Sequence, residues 1–279
     1  MSTTMRVIGS SILALGLSAC SAPDAHRGGA AVAAPREMTV VAKEFKFEAP
    51  ASVPAGLTTI HLVNQGHELH HILLIRLADG KTPADLAAAM QQPGPPPAWA
   101  ISTGGPNAPA PGGSSQATVM LVPGNYVLLC VIPSADKVPH FAKGMVSALT
   151  VMADSASQGE PLADDTLALT DYAFALSAPI VAGARTMRVE NHGGLNHEAF
   201  LIRLAPGKTG ADVVAWVDNQ VGPPPGQPIG GITDIPAGRH VFFTSDFVPG
   251  NYAFLCFVPD SKDGKPHVAH GMIKDITIS

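Results

Sequence analysis

Cys130, His140 and Met145 lie in the stretch GNYVLLCVIPSADKVPHFAKGM, and the chain repeats it as GNYAFLCFVPDSKDGKPHVAHGM, which carries Cys256, His267 and Met272. Far upstream, His70 follows the turn Asn64-Gln65-Gly66, and His197 follows Asn191-His192-Gly193 in the same register. Two imidazoles, one thiolate and a soft thioether form the donor set of a trigonal copper site with a weak axial methionine, which is electron-transfer chemistry. Thiolate and thioether suit Cu(I), and imidazole suits both oxidation states. A site hung from packed strands need not rearrange when an electron moves. Singly, each residue has an ordinary explanation: a buried cysteine is a small hydrophobe and a methionine is core filler. Jointly, eight residues in one repeated order require a common cause.

The repeat extends well beyond these donors. NQGHELHHILLIRL (64–77) returns as NHGGLNHEAFLIRL (191–204), GPPP recurs from Gly94 to Gly222, and VPGNY from Val122 to Val248, with an offset between 126 and 128. A period this long indicates two duplicated domains and not a solenoid. The expected division is a signal segment at 1–20, a tether at 21–37, domain one at 38–152, an acidic linker at 153–165 and domain two at 166–279. Each half contains short runs rich in Val, Ile, Thr and Tyr, bounded by Gly, Pro or Asn. Thr82 caps a short helix with Pro83 at its first position, and Thr209 opens the equivalent segment. The fold class is therefore all-β: two tandem Greek-key β-sandwiches, each with one short helix.

These motifs resemble those of the cupredoxins, the type 1 copper domains such as plastocyanin and azurin, from about Met38 onward. The likeness rests on Asn-x-Gly-x-x-x-His and on Gly-x-Tyr-x-x-x-Cys followed by His-x-x-x-x-Met. It implies one copper per domain, held by His70, Cys130, His140 and Met145 and by His197, Cys256, His267 and Met272. Nine residues separate Cys from His in domain one and ten in domain two, closer to copper nitrite reductases than to plastocyanins. His71 and Glu198 stand where plastocyanin-like domains often carry Asn.

The first twenty residues have a weakly positive start at Arg6, a short apolar core and Leu17-Ser18-Ala19-Cys20, which reads as an export signal. The tetrapeptide resembles the lipobox of bacterial lipoproteins, implying lipid on Cys20, and Ser21 then implies retention at the outer membrane. The expected location is periplasmic and lipid-anchored, with redox proteins of the cell envelope as partners. A formal net charge of −5 supplies no basic patch, so nucleic acid is not expected as a partner. Residues flanking the cysteines (Leu129, Val131, Leu255, Phe257) lack the histidine that wires nitrite reductases, and no His-x-His pair is present. These absences lead to the expectation of a non-enzymatic electron carrier. Cu(I) storage or delivery, and a metal-free scaffold for an envelope partner, are the alternatives.

Overall fold

The computed structural model describes residues 1–4, 33–91 and 96–279. The signal segment, Cys20 and most of the tether lie outside the described residues. Domain one contains β1 (Arg36–Lys43), β2 (Lys46–Glu48), β3 (Ser52–Pro54), β4 (Gly56–Asn64), β5 (Leu73–Leu77), α1 (Pro83–Ala89), β6 (Ala100–Ser102), β7 (Ser114–Leu121), β8 (Gly124–Leu129) and β9 (Val146–Met152). Domain two contains β10 (Asp165–Thr170), β11 (Ala173–Leu176), β12 (Gly183–Asn191), β13 (His197–Leu204), α2 (Gly210–Asn219), β14 (Gly226–Ile235), β15 (His240–Phe247), β16 (Gly250–Leu255) and β17 (Ile273–Ile278).

In β1 the burial alternates, with Met38, Val40 and Ala42 inward, as a strand with one wet face requires. Each half forms two facing sheets. One is β2-β1-β4-β7 in domain one and β11-β10-β12-β15 in domain two; the other is β3-β9-β8-β5-β6 and β14-β13-β16-β17 respectively. Both helices start as expected, with Thr82 and Thr209 each making a reciprocal capping box with an Asp three residues on. The fully buried Tyr126 and Tyr252 each donate to and accept from the backbone of a valine four residues earlier, Val122 and Val248, fixing the turn before the cysteine strand.

The halves meet along a pseudo-two-fold interface. Strands β7 and β15 pair at Thr118 and Phe242, joining two sheets into one of eight strands. Nearby, Pro106 pairs with Ile232, Asn107 N–H donates to Gly231 O (3.0 Å), and Thr233 N–H donates to Gly105 O (2.9 Å). These are equivalent positions of the repeat contacting each other, the intramolecular form of an isologous dimer contact. Glycine is required here: a Cβ on Gly105 would overlap the Ile72 carbonyl oxygen, and one on Gly231 would overlap that of Ala199.

Buried polar side chains flank this axis. Asn107 donates through Nδ2 to Glu198 Oε2 (3.0 Å), and Glu198 Oε1 accepts the Phe257 N–H (2.7 Å). On the other side, His71 Nε2 accepts the Val131 N–H (3.1 Å). Burial pushes the Glu198 carboxyl up to about 7, its hydrogen bonds offsetting only part of that cost, and burial holds His71 down to about 3.

Two outcomes are expected. Gly231→Ala combines backbone strain (φ 96°) with overlap of backbone atoms and should cost about 3 kcal/mol. Gly207→Ala, also at positive φ but with open space around it, should cost about 1 kcal/mol in the same denaturant titration. The second concerns pH. In the fold Glu198 keeps its proton to about 7, while in the unfolded chain it loses it near 4.5, so the folded chain binds more protons between those values and stability falls as pH rises through them. His71 acts oppositely, its contribution being lost as pH falls below 6.5, so the useful quantity is a difference between two proteins that share His71. In metal-free protein, the stability of Glu198→Gln relative to wild type should rise by roughly 3 kcal/mol between pH 4.5 and about 8. A difference independent of pH would show that Glu198 is not held neutral.

Candidate metal centre

The conserved geometry of the two sites begins with local turns. Asn64 accepts the Gly66 N–H through Oδ1 (3.0 Å) and donates through Nδ2 to Glu68 O (2.9 Å), bending the chain toward His70. Asn191 does the same with Gly193 N–H (2.9 Å) and Leu195 O (2.8 Å) ahead of His197. A Cβ on Gly66 or Gly193 would strike the imidazole of His70 or His197, which explains the glycine in each turn. Strand β5 begins only at Leu73, because Ile72 N–H bonds instead to Pro106 O across the loop, whereas β13 begins at His197 itself.

The other donors hang from one hydrogen-bonded loop. Cys130 N–H donates to Met145 O (3.3 Å), Phe141 N–H to Cys130 O (2.8 Å), His140 N–H to Ile132 O (3.0 Å) and Met145 N–H to His140 O (3.0 Å). Domain two repeats all four with Cys256, Val268, Val258, His267 and Met272, within 0.1 Å of the same lengths. Its additional residue lies in the loop tip between Asp260 and Lys265, so the longer spacing leaves the donor positions unchanged. Gly144 (φ 107°) and Gly271 (φ 92°) terminate the 3-10 turns that carry the histidines.

The structure brings His70, Cys130 and His140 together, and likewise His197, Cys256 and His267. Within each trio the donor atoms lie within 4.8 Å of one another. His70 Nδ1 is 3.1 Å from His140 Nδ1, which is 3.5 Å from Cys130 Sγ. In domain two the corresponding distances are 3.0 and 3.3 Å, and His197 Nδ1 is 4.0 Å from Cys256 Sγ. All six donors, with Met145 and Met272, are buried. Cys130 and Cys256 are unbridged.

This set fits a cation. Burial, then the neighbouring imidazole, lowers the pKa of His70, and burial also lowers those of His197 and His267, so the rings are neutral and point nitrogens at one another. Burial pushes the Cys130 thiol up to about 12 and the Cys256 thiol up as well. A soft cation among them reverses both penalties, drawing off the thiol proton and giving the facing nitrogens a common partner. Neutral imidazoles, thiolate and thioether are a copper set.

Carboxylates absent from the sequence reading orient the rings from outside. Glu68 lies 2.9 Å from His140 Nε2, and Asp171 lies 3.1 Å from His197 Nε2. Glu44 and Asp260 stand farther off, 3.8 Å from His70 Nε2 and 3.9 Å from His267 Nε2. Outer hydrogen bonds of this kind fix ring orientation and ligand basicity. Glu44-Phe45 and Asp171-Tyr172 occupy the same place in the repeat, and that correspondence is the signal that would have revealed them. Phe45 and Tyr172 each present an edge to the second histidine, at 5.2 and 5.4 Å. His67 and His270 lie outside the trios; His270 packs on Tyr172 and reaches Asp263 at 3.3 Å.

No family model and no curated relative matches the chain. Among solved structures it is similar to a reduced auracyanin from Roseiflexus castenholzii (24% identity, 43% of this chain and 98% of that one, TM-score 0.31). It is also similar to a blue copper oxidase from Nitrosomonas europaea (15%, 88% and 86%, TM-score 0.27) and to a copper-containing nitrite reductase from Thermus scotoductus (12%, 88% and 62%, TM-score 0.26). The expectation of a non-enzymatic protein is corrected here. Copper enzymes are among the structures matched over most of the chain, and the expectation rested on missing short motifs. Such motifs do not report ligands that converge from distant segments, as His70 and Cys130 do here. The chain thus folds as two tandem cupredoxin-like β-sandwiches, each carrying one buried His/Cys/His set.

Proposed function

We propose that the protein is exported, that it holds one type 1 copper in each domain, and that it passes electrons to and from redox proteins of the cell envelope. The observation that carries this reading is the duplicated, fully buried Nδ1, Nδ1, Sγ trio beside a buried methionine. Copper bound there supplies a one-electron couple. The chain's residues do the rest: Cys130 and Cys256 give up their protons on metal uptake, and His70, His140, His197 and His267 present Nδ1. Glu68 and Asp171 hold ring orientation from outside. Burial of every donor favours retention of the metal over the release that storage or delivery requires. Among the described residues no helix is long and apolar enough to cross a membrane, and lipid on Cys20 would tether the chain.

Copper-loaded protein should contain two coppers per chain and show an intense thiolate-to-copper charge-transfer band. Cys130→Ser or Cys256→Ser alone should remove one copper and its share of the band, and the double variant should remove both. A band that survives the double substitution would sink the assignment. Cys20→Ala should move the protein from the membrane fraction to the soluble fraction of its host; unchanged fractionation would refute the lipid tether.

A further inference from the structure

We propose that Asn107, a residue of domain one, is a positioning residue for the metal centre of domain two, acting through Glu198 on the sulfur of Cys256. The inference rests on the copper reading above and adds to it a side chain from outside the domain that supplies the donors.

Glu198 ties the cysteine strand to the seam between the halves. Its N–H donates to Cys256 Sγ (3.3 Å), and its Oε1 accepts the N–H of Phe257, the residue after that cysteine (2.7 Å). The other oxygen, Oε2, accepts Asn107 Nδ2 (3.0 Å). Glu198 also directly follows His197, so one residue is bonded to the peptide of one donor and to the sulfur of another. At 8% exposure it has little water to replace a lost partner, and a buried oxygen left without a donor costs more than the bond itself contributed. Where Glu198 sits is therefore governed by what holds Oε2.

The residue that holds it is itself fixed. Asn107 is 2% exposed, its Nδ2 also donates to Ile232 O (3.3 Å), and its Oδ1 accepts the Ala108 N–H (2.8 Å). Its own N–H donates to Gly231 O (3.0 Å), and its carbonyl accepts from Ser115 Oγ (2.6 Å). Bound through both its amide and its main chain, Asn107 is an anchor against which Glu198 is set.

The seam does not work equally in both directions. On the domain-one side, His71 accepts the Val131 N–H (3.1 Å) as Glu198 accepts that of Phe257. Thr233 of domain two reaches across to that side, but its hydroxyl ends on main-chain oxygens, Ile72 O (2.8 Å) and Gly105 O (3.2 Å). Thr233 thus braces the backbone just past His71, whereas Asn107 grips a side chain that is itself bonded to the cysteine strand. Hydrogen bonding around the cysteine sulfur helps to set a copper site's potential. An N–H donated to the thiolate draws off charge that would favour Cu(II), so loosening Glu198 should lower the potential of the domain-two centre.

The test uses the full chain in two copper-loaded series. Cys130→Ser leaves copper in domain two alone, and Cys256→Ser leaves it in domain one alone. Asn107→Leu added to the first should move the charge-transfer band to longer wavelength and lower the ratio of Cu(I) to Cu(II) at a fixed poised potential by roughly threefold or more; added to the second it should change neither. Asn107→Ala, which removes the amide without adding bulk, gives the same reading should Asn107→Leu fail to fold. Glu198→Asn keeps an acceptor for the Phe257 N–H but is too short to meet Asn107, so in that background Asn107→Leu should have no further effect on the domain-two centre. In metal-free protein the amide NMR signals of Glu198 and Phe257 should move in Asn107→Leu while that of Val131 stays in place. Equal shifts in the two copper series would reduce Asn107 to a general brace of the seam and overturn the proposal. An unshifted domain-two centre, or additive effects of Asn107→Leu and Glu198→Asn, would overturn it as well. Absence of a charge-transfer band in every variant would instead overturn the copper reading, and the metal-free amide signals would then decide whether Asn107 positions Glu198.

Discussion

The metal centres depend on a backbone constraint: each cysteine is held through both its main-chain groups by the loop that carries the histidine and methionine. Cys130 donates to Met145 O and accepts from the Phe141 N–H, and Cys256 is held in the same way by Met272 and Val268. With the cysteine peptide bonded on both sides, the loop has little freedom to swing the imidazole away. The buried tyrosines brace the turns at the far ends of the same strands. Donor atoms that would repel or go unpaired in a dry interior are thus kept close before any metal arrives, so the folding energy of two β-sandwiches bears the cost of assembling them.

Much of this was legible in the chain. Donor types recur in order, so the trios could be named from spacing, and capping residues with Pro or Asp nearby announced both helices. The Asn-x-Gly turns could be read because only glycine tolerates an imidazole packed against its Cα. Other features could not be read, for physical reasons. Glu68 reaches His140 across 72 positions, and whether such a side chain turns inward depends on loop geometry that periodicity does not encode. The Pro- and Gly-rich segment before β7 has no periodicity to read, yet its residues from Ser102 to Ala110 form much of the domain interface. Missing short motifs were an unsound basis for setting catalysis aside, since ligands in this fold come from separate strands.

The two centres share a frame but not their surroundings. Around His140 stand Glu68 and the apolar edge of Phe45; around His267 stand Asp260 and Tyr172, whose hydroxyl donates to that aspartate. Outer contacts of this kind tune a metal's electron affinity without changing its ligands. Two coppers in such settings need not be equivalent, and a difference in potential would give direction to any traffic between them.

The pseudo-two-fold seam has one more consequence. Segments that recognise their own duplicate through Pro106 and Ile232 form a self-complementary patch. In a single polypeptide the covalent connection keeps the two patches at a high effective concentration, so each finds its mate before it meets another molecule. Separated into single-domain pieces, the same patches would have only each other to pair with, and assembly would become a matter of dilution.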